Sequence, residues 1–138
     1  MKPHRFKTKV EYPYVRIRGQ YYPLIPLTLH FNERSVKVFG LLDSGASVSL
    51  FRPEIARALG IPFGGHGGQT FKMVKGQLKV MICRLTVEMA KRTFPAFIGF
   101  SNGYSASFNI IGRKNFFERF GVCFNESKRR VGLIPLSH

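Results

Sequence analysis

The chain has 138 residues, 44% of them apolar, which suits one domain with a substantial core. Lys and Arg number 22 against 7 acidic residues, a formal charge of +15, so anionic partners such as nucleic acid, anionic lipid or acidic polypeptide are favoured over cationic ones. No run approaches the roughly 18 apolar residues of a membrane helix, and the basic N-terminus lacks the apolar segment of a secretory leader; the expected location is cytoplasmic.

Residues 1–20 are basic and aromatic without a clean period and read as an N-terminal arm, with 21–138 as the folded domain. Tyr22–Phe31 puts Ile25, Leu27, Leu29 and Phe31 on one side, the period of a half-buried strand, and Pro23 and Pro26 point to an edge or a strand start. Asn32–Ser35 turns the chain, and Val36–Leu42 returns as the second arm of a hairpin. In Phe51–Gly60, Pro53, Glu54 and Gly60 stand where a short helix wants proline, acid and its closing glycine. Ile61–Gln69 is a glycine-rich loop. Thr70–Met89 reads as two strands around Lys75–Gly76, the second placing Leu85, Val87 and Met89 inward. Lys91–Phe100 is a strand, Ser101–Ser107 a polar loop and Phe108–Gly112 a short apolar strand. Arg113–Phe120 reads as a helix with Phe116 and Phe120 on one face, and a last hairpin turns at Ser127–Arg130. Many short strands with two short helices predict an all-β, barrel-like domain.

Most catalytic patterns are missing. The two cysteines, Cys83 and Cys123, form no C-x-x-C and are expected as buried thiols in a reducing compartment. The four histidines are scattered, which argues against a metal site. Gly64–Gly68 lacks the Lys-Ser/Thr of a phosphate loop, and no G-x-S-x-G elbow occurs. What remains is Leu41–Ser49, LLDSGASVS. An apolar strand drives a carboxylate into a run of tiny residues, and Asp43 is the only aspartate in the chain. A carboxylate so placed needs a partner or a task.

LLDSGAS, the Pro-started helix in FRPEIARALGI, NIIGR and FFERFGVCF occur in the order found in the retropepsin-like aspartic proteases, and over Tyr22 to about Pro135 the sequence resembles that family. The resemblance implies a closed barrel with a flap hairpin and two short helices, one domain per subunit. It implies an aspartic endopeptidase working as a homodimer on polypeptide substrates, without metal or organic cofactor. Asp43 would be the catalytic carboxylate, Ser44 a hydrogen-bonding support across the dimer, and Gly45 the point of close backbone approach. Ala46 would leave room beside the scissile bond, Ile110 and Ile111 would line a side-chain pocket, and Gly112 would pack beneath the loop. Family spacing puts the flap tip at Val74, Lys75 and Gly76; Gly64–Gly68 is the second placement. Lys72, Lys75 and Lys79 around that hairpin suggest tolerance for acidic residues near the cleavage site. One position departs from the family: Arg113 is present, but Ser47 stands where retroviral members carry the acid that meets it. Because the chain supplies one D-S-G, a two-fold axis is the simplest source of a second carboxylate. A dimer of the same fold that binds peptides or nucleic acid without cutting is the alternative.

Overall fold

The computed structural model describes residues 8–63, 68–73 and 76–137, with the backbone alone for 68–73 and 76–78. In chain order the strands are β1 (Val10–Pro13), β2 (Val15–Ile17), β3 (Gln20–Tyr22), β4 (Leu24–Phe31), β5 (Arg34–Leu42), β6 (Ser49–Phe51), β7 (Gly68–Met73), β8 (Gly76–Met89), β9 (Arg92–Phe100), β10 (Asn109–Ile111), β11 (Phe120–Asn125) and β12 (Arg130–Pro135). Helix α1 (Pro53–Ala58) follows β6, and a wide helical turn, Arg113–Phe117, follows β10. Strands β4, β5, β10, β6, β9 and β8 pair in that order, and β8 returns to β4, closing a six-stranded barrel. Closure removes the unpaired edges that an open sheet would expose. Most barrel pairs are antiparallel; β10 runs parallel to β5, and β6 parallel to β9.

Period-two patterning fills this barrel. Ile25, Leu27 and Leu29 of β4 and Leu85, Val87 and Met89 of β8 are all buried, while Thr86 and Glu88 face outward. Fully burying one such side chain contributes about 1.5–3 kcal/mol. The core is aromatic-rich: Phe51 meets Phe100 edge-on at 6.5 Å, and Phe94 lies between Phe116 at 5.7 Å and Phe120 at 5.8 Å. The prolines of β4 suggested an edge, yet β4 has neighbours on both sides. Strand β8 reaches only Thr28–His30, so Pro26 sits where one flank is open and its missing N–H is tolerated.

Two expected elements differ. The helix expected over Arg113–Phe120 is a single turn, Arg113–Phe117, and Phe120 already begins β11. Lys114 is extended (ψ 129°) and Asn115 is left-handed (φ +70°), a conformation that asparagine tolerates better than most residues. The Asn115 Oδ1 accepts the Phe97 N–H at 2.9 Å, which pins the turn to β9. Phe116 and Phe120 do share a face, but through a turn running into a strand. Strand β6 was not expected, because Ser49 inside it reads as a loop residue.

Residues 10–22, which carry no period, form β1 on β12 and the β2–β3 hairpin. Their partners are either three residues long or at the far end of the chain, so no local pattern announces them. In the sheet β1–β12–β11, the Glu11 carboxylate meets Lys9 at 2.8 Å and Arg130 at 3.1 Å. Those contacts, Lys9 first, hold the Glu11 carboxyl below its ordinary value. Its small stabilising effect is complete at neutral pH and fades as pH falls through that depressed value. The cysteines correct an expectation: Cys83 is only half-buried and Cys123 is exposed, because it lies in the half of β11 that runs out to the turn, Cys123–Asn125, where every residue is exposed. Both are free thiols. No helix among the described residues is long and apolar enough to cross a membrane.

Candidate active site

The apolar strand β5 ends at Leu42, whose N–H donates to the Pro23 carbonyl at 3.2 Å. The next N–H, that of Asp43, donates to the Ile111 carbonyl at 3.0 Å. Asp43 is thus held between β4 and β10 at the mouth of the barrel, half-exposed. The chain then folds back tightly. Gly45 N–H donates to Asp43 Oδ1 at 2.9 Å, and Ala46 N–H to the Asp43 carbonyl at 3.1 Å, an aspartate-centred turn inside a β-turn. A Cβ at Gly45 would lie 3.2 Å from Oδ1, so the glycine gives the carboxylate its close backbone donor. Among the described residues, Oδ2 has no hydrogen-bond partner, and Ser44 is exposed and makes no side-chain bond.

A second segment braces this loop. The Gly112 N–H donates to the buried Ser49 Oγ at 2.9 Å, Arg113 N–H to the Ala46 carbonyl at 2.9 Å, and Lys114 N–H to the Ser47 carbonyl at 3.0 Å. Gly112 lies so close that an added Cβ would fall 2.3 Å from the Val48 carbonyl oxygen and 2.5 Å from its carbon. The motifs around Asp43 and Gly112, about 70 residues apart in sequence, therefore form one unit. The Arg113 side chain is exposed and forms no ion pair among the described residues, and Ser47 is exposed beside it.

The two isoleucines separate. Ile111 has no exposed surface and packs where Gly40 has no side chain: a Cβ there would sit 2.6 Å from the Ile111 Cδ1. Ile110, on the opposite face of the strand, is half-exposed. Of the two, Ile110 is the one whose side chain is accessible in this subunit. Ala46 is half-exposed next to Asp43. The hairpin β7–β8 closes with Met73 opposite Gly76. Val74 and Lys75 lie outside the described residues, as do Gly64–Gly67 of the second placement, whose Gly68 opens β7.

Sequence reasoning missed three residues. Ser49 supplies the buried acceptor for Gly112. Asn109 was read as part of an apolar strand, yet it is buried with both amide ends used: Oδ1 accepts the Arg52 N–H at 2.8 Å and Nδ2 donates to the Phe39 carbonyl at 2.9 Å. It ties β5 and β10 to the start of α1. A lone amide inside an apolar strand was the available signal, since a buried amide must be satisfied. We expect Asn109→Leu to lower stability by about 2 kcal/mol or more in urea unfolding, because it orphans two backbone groups. The third is Tyr104, in the loop between β9 and β10. Its hydroxyl donates to the Phe108 carbonyl at 2.7 Å. Burial pushes its phenol up, with the Arg52 charge opposing and the Asp43 carboxylate adding.

A closed six-stranded barrel with an Asp-Ser-Gly loop at its mouth, braced by an Ile-Ile-Gly strand, is the retropepsin-like fold. By sequence the chain matches no family model and no curated protein. Among solved structures it is similar to a retropepsin-like aspartic protease from Rickettsia conorii, with a TM-score of 0.65 and 21% identity over 91% of this chain and 98% of that one. It is also similar to the EIAV protease complexed with the inhibitor HBY-793, with a TM-score of 0.52 and 18% identity over 72% of this chain and 88% of that one.

Proposed function

We propose that the chain is an aspartic endopeptidase that acts as a C2 homodimer, with Asp43 of each subunit forming one half of a catalytic pair. The observation that carries this reading is the setting of the lone aspartate. It is half-exposed, fixed on one oxygen by Gly45 and open on the other, on a loop that the rest of the fold holds rigid. One carboxylate is half of the machinery: hydrolysis needs a base for the water and an acid for the carbonyl oxygen. A two-fold axis through the loop provides the second.

Two facing carboxylates share one proton, because both cannot ionise at close range. The ionised one takes a proton from water as the water oxygen attacks the scissile carbonyl carbon. The protonated one gives its proton to the carbonyl oxygen, producing a neutral gem-diol. Collapse of the gem-diol breaks the C–N bond, the amine leaves with a proton, and the pair returns to its single-proton state. Ser44, exposed and unbonded in one subunit, would hydrogen-bond across the axis. The β7–β8 hairpin would serve as the flap, pairing with an extended substrate, and Ile110 would line an apolar subsite.

Exposed Lys79 and Arg113, neither in an ion pair among the described residues, favour substrates with acidic residues near the scissile bond. Incubation with a mixed peptide pool across acidic to neutral pH, read by mass spectrometry beside an Asp43→Asn control, tests both ideas. The expected products are cleaved peptides enriched in nearby Asp or Glu, absent from the control. Cleavage without acidic enrichment removes the specificity claim alone, and no cleavage at any pH removes the enzyme.

A further inference from the structure

We infer that the surface formed by the β2–β3 hairpin and the β11–β12 turn is a binding site for single-stranded nucleic acid, independent of hydrolysis at Asp43. The two turns are fastened together. Tyr14 donates its N–H to the Arg129 carbonyl at 2.8 Å, and its hydroxyl donates to Glu126 Oε1 at 3.1 Å. Across this junction the Arg129 guanidinium lies 3.7 Å from the centre of the Tyr21 ring, and that of Arg16 lies 5.8 Å from the same ring. Arg16, Arg18, Lys128 and Arg129 are exposed, and none forms an ion pair among the described residues. The one acid at the junction, Glu126, is engaged by Tyr14. Arg130 is also separate, paired to Glu11.

Arg18 and Gly19 form a two-residue turn with φ of +50° and +78°, and Arg129 closes the other turn at φ +54°. Such positions favour glycine or asparagine. Arginine at both is locally unfavourable, as are Ala90 and Lys91 in the β8–β9 turn; what sets this surface apart is that Arg16 and Arg129 also converge on one tyrosine ring. A guanidinium is planar, and the Tyr21 ring beneath Arg129 holds that plane in place. Guanidinium groups offer their N–H edges to phosphate oxygens and their free faces to unstacked bases. A carboxylate-rich peptide would use only the edges, so single-stranded nucleic acid fits the surface better.

The test uses a fluorescein-labelled oligothymidylate of about 16 nucleotides, with binding to the full chain followed by anisotropy at several salt concentrations. The double variant Arg18→Gly, Arg129→Gly removes two charges; the relief of positive φ at both turns offsets the lost Arg129–Tyr21 contact, so its melting temperature should change little. Its affinity should drop by about tenfold or more, and the slope of log K against log salt should flatten by about 1.4. The control Lys37→Ala, Arg84→Ala removes two exposed charges from other strands and should stay within about threefold of wild type. Equal losses in both double variants would reduce the effect to net charge and overturn the site. So would a polyglutamate peptide of matching charge binding as tightly as the oligonucleotide.

Discussion

Asp43→Asn should abolish peptide cleavage, by at least about a thousandfold, while leaving the fold in place. The asparagine Oδ1 can still accept the Gly45 N–H, so stability should change by less than about 1 kcal/mol. What is lost is the group that takes and returns a proton. Mixing experiments carry the argument further. If the active unit takes one Asp43 from each subunit, an exchanged equimolar mixture of wild type and variant contains about a quarter wild-type pairs. Activity should then follow the square of the wild-type fraction. A linear response, one half at equimolar mixing, would mean that each subunit works alone and would overturn the paired-carboxylate mechanism. Full activity in the pure variant would remove Asp43 from the reaction.

Gly112→Ala should be among the most damaging single substitutions in the chain. Its added methyl would meet the Val48 carbonyl oxygen at 2.3 Å and the carbonyl carbon at 2.5 Å. Both are backbone atoms in a loop already tied at Ala46 and Ser47, so no side chain can swing aside to relieve the clash. Forced overpacking costs about 1–3 kcal/mol in cores with adaptable neighbours; here we expect the upper end or beyond, read as a fall in the denaturant midpoint. Any population that remains folded should have the Asp43 loop displaced, and activity per folded molecule should fall with it. Gly45→Ala, whose nearest contact is the Asp43 Oδ1 at 3.2 Å, is the graded comparison and should cost less stability.

The barrel was legible in the sequence because its strands obey period two. Of the β4 and β8 stripes, Ile25, Leu27, Leu29, Leu85, Val87 and Met89 are all core residues, while Phe31 at the end of β4 is only partly buried and Leu24, outside the stripe, is buried. The site loop was legible because an aspartate at the end of an apolar strand is chemically conspicuous. What escaped notice was non-local. Strand β1 finds its partner across nearly the whole chain, and Asn109 and Ser49 are polar residues whose partners lie about 60 positions away. The Arg113–Phe117 turn misled for the opposite reason. Phe116 and Phe120 have helical spacing, but the Asn115 contact with β9 takes the backbone out of the helix.

Because Val10 faces Leu133, the sheet β1–β12–β11 is assembled from the first and last strands among the described residues. A ribosome must deliver Leu133 before Val10 has anything to pair with, and until then Val10, Tyr12 and the Phe94–Phe116–Phe120 cluster lack their final cover. Topologies dominated by such distant contacts fold slowly, on a scale of milliseconds to seconds. The nascent chain therefore leaves these apolar side chains uncovered until its last described strand has been made.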